Sequence, residues 1–440
     1  MLSSRPARNA IVRFKRGTPA ISLTTQRKAP QPVQTDPGCR LCGAKLHRSL
    51  LNLGNMPLAN RTVAPGAPDQ PVYPLHARIC DNCKLVQVSD VAPPEAIAAP
   101  RAYLSSTSAV RVQQAERYAT SMRKKLGLTS NSLVIEIGSN DGYLLQHFHL
   151  ARIPVLGIEP ARNAAMAATA QGIATELGLF NTGTAMEIAV RRGRADLLVA
   201  KNVASQVPDL FDFAAGCACL LRPNGVMSLQ VPHLLSLIQK VQFDAFRHDS
   251  YVYLSLQVLE RVLRSVGLRV FDAEREPDHG GSLRIHACHV ISPNPARPGL
   301  KAVRMAEAFA EHERRDLYAG FSDRVAAACE DIRGFLQNKR AAGRHVAAFG
   351  AAARGSTLLN ACRITPDLIS CVADLDPAKH GRSLPGSRIS IVPLDVLLRD
   401  PPTDILVLPW TNAPEVVGPL QPLRQRGTQL WTPVPHMARV

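Results

Sequence analysis

Aromatic residues are scarce in this 440-residue chain, where Phe, Tyr and Trp together make up 5% and only two are tryptophan. A nucleic-acid groove pairs basic residues with aromatic stacking platforms, and here the Lys and Arg residues are scattered, so no nucleic-acid partner is expected. Long apolar runs are missing as well. No stretch approaches the roughly 18 apolar residues that a bilayer-spanning helix needs, so no membrane partner is expected either. Acid is short relative to base. With 35 Asp and Glu against 52 Lys and Arg, the formal charge is +17, which favours an anionic partner and suits a phosphorylated small molecule.

What remains is globular in composition, 46% hydrophobic and 20% charged, and long enough for about three domains. Residues 1–36 carry seven Lys or Arg and no acid before Asp36, which reads as a disordered basic arm. A transit peptide is also basic and acid-poor, but Pro6, Pro19, Pro30 and Pro32 interrupt any long amphipathic helix. Six of the ten cysteines are isolated, a pattern of reducing compartments and a cytoplasmic protein.

The other four cysteines form two pairs, Cys39-Arg-Leu-Cys42 and Cys80-Asp-Asn-Cys83, separated by 37 residues. Two such knuckles present four thiolates to one tetrahedral zinc. A closed four-cysteine site leaves no open coordination position, so the metal of this module, residues 37–95, is structural and the chemistry lies elsewhere.

Leu133 to Tyr143 reads as a buried strand, a turn with glycines at 138 and 142, and a helix start. Asn140 stands where a dinucleotide fingerprint needs its middle glycine, which makes a pyrophosphate the poorer fit. A second strand, Pro154 to Ile158, ends in Glu159, an acid placed to take the hydroxyls of a ribose. Glycine turn plus acid points to a nucleoside ligand, and a helix through Leu126 is expected to cover it.

Strands at 195–202 and 225–232 alternate with helices and imply a parallel sheet, while 267–272 and 282–290 should pair antiparallel at its edge. After a linker at 293–298, helical segments run to Arg340. Strand, glycine turn and helix then recur at His345 to Gly355, a second acid-ended strand closes at Asp374, and later strands follow at 404–410 and 429–432. The fold expected is therefore α/β, with a central domain at 96–292 and a second Rossmann-like domain at 299–440. Arg354 and Lys379 keep phosphate contact open in the latter.

The spacing Glu136-x-Gly138-x-x-x-Gly142 followed by Glu159 resembles the S-adenosylmethionine (SAM) site of class I methyltransferases. Further strings carry a closer resemblance: Leu53-Gly-Asn-Met-Pro-Leu-Ala-Asn60, Val207-Pro-Asp209, Pro232-His-Leu234, His279-Gly-Gly-Ser-Leu-Arg284, Thr357-Leu-Leu-Asn360 and Leu384-Pro-Gly386. With the order zinc module, SAM domain, Rossmann-like domain, the chain resembles the C-methyltransferases of nucleotide-linked ketodeoxysugars in antibiotic biosynthesis. The resemblance implies SAM at Glu136, Gly138, Asn140, Asp141, Gly142, Glu159 and Asn202. It implies a small-molecule acceptor near Tyr103, Gln206, Arg247, Tyr251, His279 and Arg284.

Methylating a carbon beside a ketone requires a base and a stabilised enolate. The chain departs from the family pattern at those residues. Where the family has Asn-Val-x-x-His-Val-Pro-Asp, this chain has Gln206 for the histidine. Where it has Tyr-His-Glu-His, this chain has Arg247-His-Asp-Ser250, and Gln230 replaces a carboxylate before the Pro-His pair. Three readings follow: an acceptor that needs little deprotonation, a protein that binds SAM or a nucleotide sugar without methyl transfer, or carbon chemistry in which His248, Asp249 or His233 serves as base.

Overall fold

Backbone hydrogen bonding gathers the chain into three sheets, described by a computed structural model over residues 38–89, 104–313 and 317–440. The basic arm and Tyr103 lie outside the described residues.

The central sheet has seven strands. Apolar runs form β4 (Val134–Ile137), β5 (Val155–Glu159), β7 (Ala195–Lys201) and β8 (Leu221–Pro232), mostly buried apart from the start of β8 at Arg222 to Asn224; short β6 (Thr175–Leu177) closes one edge. Continuous apolar strands of this kind belong to a sheet covered on both faces. The β-rich segments near the end become β10 (Leu268–Glu276) and β11 (Ser282–His289), and the strand order is β10-β11-β8-β7-β4-β5-β6. The antiparallel pairing expected of this hairpin is present. Its last strand inserts between β8 and β10, leaving β10 at the edge.

A smaller sheet was not anticipated as such. Its strands are β1 (Arg48–Pro57), β2 (Val72–Ile79), β3 (Val86–Val88) and, from far along the chain, β9 (Val252–Tyr253). Because β9 comes from the central region, the zinc module's sheet cannot be completed without it. One apolar cluster joins Cys39, Leu41, Cys80 and Leu85 to Ile137, Leu229 and Leu254. Another joins Leu51, Met56 and Ile79 to Leu235, Phe246, Phe321 and Leu358.

The third sheet contains β12 (Val346–Phe349), β13 (Val372–Asp374), β14 (Ile391–Pro393), β15 (Asp404–Val407), β16 (Gln429–Thr432) and β17 (Ala438–Arg439), ordered β14-β13-β12-β15-β16-β17. All its pairings are parallel except the last. Between the second and third sheets two helices, Pro298–Glu313 and Phe321–Ala341, occupy the expected helical stretch, with Gly320 at φ 65° entering the second. No helix among the described residues is long and apolar enough to cross a membrane.

Candidate active site and metal centre

Each cysteine pair closes a tight knuckle. Cys39 accepts from the Gly43 N–H at 2.8 Å and Cys80 from the Lys84 N–H at 2.9 Å through their carbonyls, with Gly43 at φ 69° and Lys84 at φ 62° turning the chain back. The knuckles bring all four Sγ atoms within 4.8 Å of one another, and the Cys39–Cys83 and Cys42–Cys80 separations are 3.4 and 3.5 Å. A tetrahedral Zn–S bond of roughly 2.3 Å sets its sulfur atoms at comparable spacing, so the four thiols fit zinc. The hydrogen bond shared with Cys83 lowers the Cys39 thiol's pKa against the upward effect of burial.

The glycine turn after β4 is built by left-handed backbone. Gly138, Asn140 and Gly142 have φ of 71°, 52° and 79°. A Cβ on Gly138 would stand 2.5 Å from Val203 Cγ2, so only glycine fits. The turn is tied to β5 by the Gly138 N–H donating to the Ile158 carbonyl at 2.8 Å. Glu159, fully buried, lies at this crease: one carboxylate oxygen accepts from the Asn140 N–H at 2.9 Å and the other from the Ala161 N–H at 2.8 Å. Over the turn sits a short 3-10 segment, Ser105–Thr107, ahead of the helix Ala109–Leu126. Its Ser105 and Ser106 N–H groups donate to Asn140 Oδ1 at 2.9 Å and Asp141 Oδ2 at 3.0 Å. The cover expected from the helix is thus supplied at this point by the turn preceding it.

Buried polar atoms normally find partners, because leaving one unmade costs about 1–3 kcal/mol. Around this turn four do not: Glu136 Oε2, Ser139 Oγ, Asp141 Oδ1 and Asn202 Oδ1 are buried with no hydrogen-bond partner among the described residues. Burial pushes the Glu136 carboxyl well above its ordinary range, with Lys201 pulling it back and Glu159 and Asp141 adding to the rise. A cluster of acceptor oxygens with no cation paired to it suits a ligand bearing hydroxyl donors and positive charge. The ribose, ammonium and sulfonium of SAM supply those groups, so the residues fit that cofactor.

Three family profiles match the chain: a zinc binding domain at residues 39–97, a methyltransferase domain at 111–273 and a C-methyltransferase C-terminal domain at 277–435. The C-methyltransferase NovU of Streptomyces niveus is 31% identical over 408 residues, covering 90% of this chain and 95% of NovU. The chain belongs to this C-methyltransferase family. A ubiquinone biosynthesis O-methyltransferase of Rhodopseudomonas palustris (strain HaA2) is 31% identical over 104 residues, 24% of this chain and 41% of that protein. Among solved structures, magnesium protoporphyrin IX methyltransferase from Synechocystis PCC 6803 with bound SAM covers 41% of this chain and 81% of its own at 14% identity and a TM-score of 0.31.

This C-methyltransferase is therefore a SAM-dependent enzyme of the class I α/β fold with a zinc-binding module. Beyond the cofactor turn, the structure locates the residues expected on the acceptor side. Arg247, His248 and Asp249 stand together against the zinc module. The Asp249 carboxylate accepts from Arg247 Nε at 2.8 Å and from Asn60 Nδ2 at 3.0 Å, while His248 Nε2 lies 3.2 Å from the Tyr73 carbonyl. His248 is pushed down by burial. Asp249 ends below its ordinary value, since the Arg247 charge and hydrogen bond outweigh the upward effect of burial. His233, fully buried, does not join them: its Nε2 meets Glu307 Oε1 at 2.8 Å, and the same carboxylate caps the Leu256 N–H at 2.7 Å. Arg284 gives its donors to Glu276 at 2.6 Å and Gln230 at 3.1 Å, and the His279 carbonyl accepts from Arg354 at 3.2 Å.

Other contacts were not legible from spacing. Arg40, inside the first knuckle, donates to the Pro208 carbonyl at 2.8 Å and lies 4.9 Å over the Tyr251 ring. The metal module thereby holds the loop that carries Gln206. Lys201, a charged residue ending a mostly buried strand, was the available clue to a polar row across the sheet.

Proposed function

We propose that the enzyme moves a methyl group from SAM to a carbon atom of a small acceptor, a nucleotide-linked deoxysugar of natural-product biosynthesis, in the cytoplasm. The observation that carries the cofactor side is the set of four unpartnered buried oxygens around Gly138 to Gly142. In this reading Glu159 takes the ribose hydroxyls, and Glu136, Asp141 and Asn202 face the cationic methionine end. The turn itself leaves backbone free for close approach. When bound, SAM supplies an electrophilic methyl on a positively charged sulfur. The protein's part is to align acceptor and donor, which by itself can be worth ~7–11 kcal/mol, and to manage the acceptor's proton.

The nucleotide-linked acceptor is supported by the formal charge of +17, and methylation at carbon by the likeness to the C-methyltransferase NovU, which runs through all three regions. Zinc stays structural, since the four thiols fill its coordination shell.

Titration calorimetry with SAM, followed by transfer of labelled methyl to a panel of nucleoside-diphosphate keto-deoxysugars and amino-deoxysugars, tests the proposal. Binding of SAM with label appearing on carbon of a keto-sugar is the expected result. SAM binding without transfer to any acceptor would favour a non-catalytic role, and no SAM binding would overturn the reading.

A further inference from the structure

Lys201 is the last residue of β7, and its surroundings follow from the sheet register. Glu136 pairs with Val199, two residues before Lys201, so Glu136 and Lys201 share one face of the sheet. On the other side Lys201 pairs with Gln230, and Gln230 pairs with Arg284. A polar row thus crosses the sheet beside the cofactor turn, running Glu136, Lys201, Gln230, Arg284. Its far end is internally satisfied, with Arg284 held by Glu276 and Gln230, and Gln230 donating to Asp278 at 3.4 Å. Lys201 is not. It forms no hydrogen bond or ion pair with any described residue, and its ammonium stands 5.9 Å from the Tyr143 ring centre.

Carbon methylation beside a carbonyl needs a proton acceptor, and the positions at which the family resemblance places one are poor candidates. Gln206, Ser250 and Gln230 do not take up a proton in this range, and Arg247 is permanently charged. Asp249 is paired with Arg247, His233 Nε2 is engaged by Glu307 at 2.8 Å, and His248 Nε2 lies 3.2 Å from the Tyr73 carbonyl, against the zinc module.

We propose that Lys201 is the general base of this methyltransferase, its neutral amine removing the proton from the acceptor carbon. This rests on the reading that the acceptor is a carbon next to a carbonyl. The C–H bond breaks as an N–H bond forms, and the electron pair moves onto the carbonyl oxygen as an enolate. The enolate carbon then takes the methyl of SAM, the departing sulfur keeps the C–S pair, and the lysine ammonium returns its proton to water.

The surroundings shift Lys201 in the direction of the neutral amine. Burial is the largest influence and lowers the pKa of Lys201, Arg284 and Arg111 act in the same direction, and Glu136 and Asp278 oppose them. Tyr143 is pushed up by burial and stays neutral, and His279, a further titratable neighbour, is pushed down to about 4, chiefly by burial.

The test uses the full-length protein and its Lys201→Met and Lys201→Arg variants. Two readouts are taken: methyl transfer to a keto-deoxysugar, and deuterium exchange at the acceptor carbon in heavy water with S-adenosylhomocysteine in place of SAM. Both variants should lose both activities by about a hundredfold or more, with SAM affinity kept within a few-fold. A Lys201→Arg variant that retains either activity within tenfold would show that a cation, not a base, is needed, and would overturn the proposal. So would a Lys201→Met variant with unchanged exchange. Should Lys201→Met fail to fold, Lys201→Gln replaces it, and loss of exchange with SAM affinity kept is the supporting result, unchanged exchange the opposing one. Failure of the carbon reading shows itself separately, as wild-type label found only on oxygen or nitrogen before any variant is compared.

Discussion

Two strand–glycine turn–helix units in this chain follow one plan and end differently. In the central unit Glu159 accepts from the N–H groups of Asn140 and Ala161. In the C-terminal unit Asp374 accepts from Ala351 at 2.6 Å and Asp376 at 2.9 Å in the same manner. The C-terminal acid then also meets Lys379, 3.2 Å away, and no buried side-chain oxygen of Gly350 to Asp374 lacks a partner. Arg354, which follows that turn, is spent on Asp244 at 2.7 and 3.0 Å and on Gln242, and its guanidinium lies 5.1 Å from the Trp410 ring centre. The phosphate contact held open for Arg354 and Lys379 therefore finds both side chains engaged within the protein. The central turn keeps its acids without an ion-paired cation among the described residues, Lys201 standing near Glu136 but unbonded to it. A turn whose charges are answered by its own chain is a piece of structure, and one whose charges are left unanswered has acceptors to offer a ligand.

The largest effect that sharpens this contrast is expected at Asp404, a fully buried acid of the C-terminal sheet held by Lys339 at 2.9 Å, Arg344 at 2.7 Å and Trp431 Nε1 at 2.8 Å. Asp404→Asn leaves two cations short of their partner and should cost ~3–5 kcal/mol in thermal or urea unfolding, without altering the SAM affinity of the folded protein. Burial raises this acid's pKa, but the Arg344 and Lys339 hydrogen bonds outweigh it and hold the value at about 2. A depressed folded value means that the contribution is complete above the ordinary carboxylate range and is lost as pH falls towards 2. The variant should therefore show a shallower loss of stability than wild type over that acid window.

Next come the glycines. Gly138→Ala forces a Cβ against Val203 at positive φ, a strain of ~2–4 kcal/mol from the left-handed backbone and the overpacking together. Its readout is SAM affinity. Gly350→Ala meets Pro409 Cγ at 2.4 Å with φ 92° and should lower the melting temperature while SAM affinity persists. Equal effects of the two on SAM binding would break the comparison.

Removing the acids separates the units more gently. Glu159→Ala should weaken SAM binding by ~1.5–3 kcal/mol, the worth of a hydrogen bond to a charged group, and calorimetry measures it. Asp374→Ala should leave SAM binding untouched. The smallest effect is expected of Lys379→Met. Its ion pair is partly exposed, so stability should change by ~0–1 kcal/mol. Were the C-terminal turn a concealed nucleotide site, this variant would gain affinity for adenine nucleotides, and none is expected.

Legibility followed distance along the chain. The cysteine pairs, the glycine turn and the acid ending β5 were readable because each acts within a few residues, where spacing alone sets geometry. The antiparallel hairpin was readable because Arg275 to Gly281 is too short for a crossover. The insertion of β11 between β8 and β10 was not, since strand order depends on which edge buries more apolar surface. The roles of His233 and Arg40 were equally hidden, because Glu307 and Pro208 lie 74 and 168 residues away from them.

By itself, then, the sequence determined the zinc knuckles, the α/β plan and the cofactor turn, all consequences of local backbone freedom and apolar periodicity. Only the tertiary structure decided which of two similar turns stays open, that β9 completes the zinc module's sheet, and that Lys201 stands unpaired beside Glu136. Those outcomes depend on which charges from distant segments meet in the same low-dielectric space, and a linear order of residues does not state that.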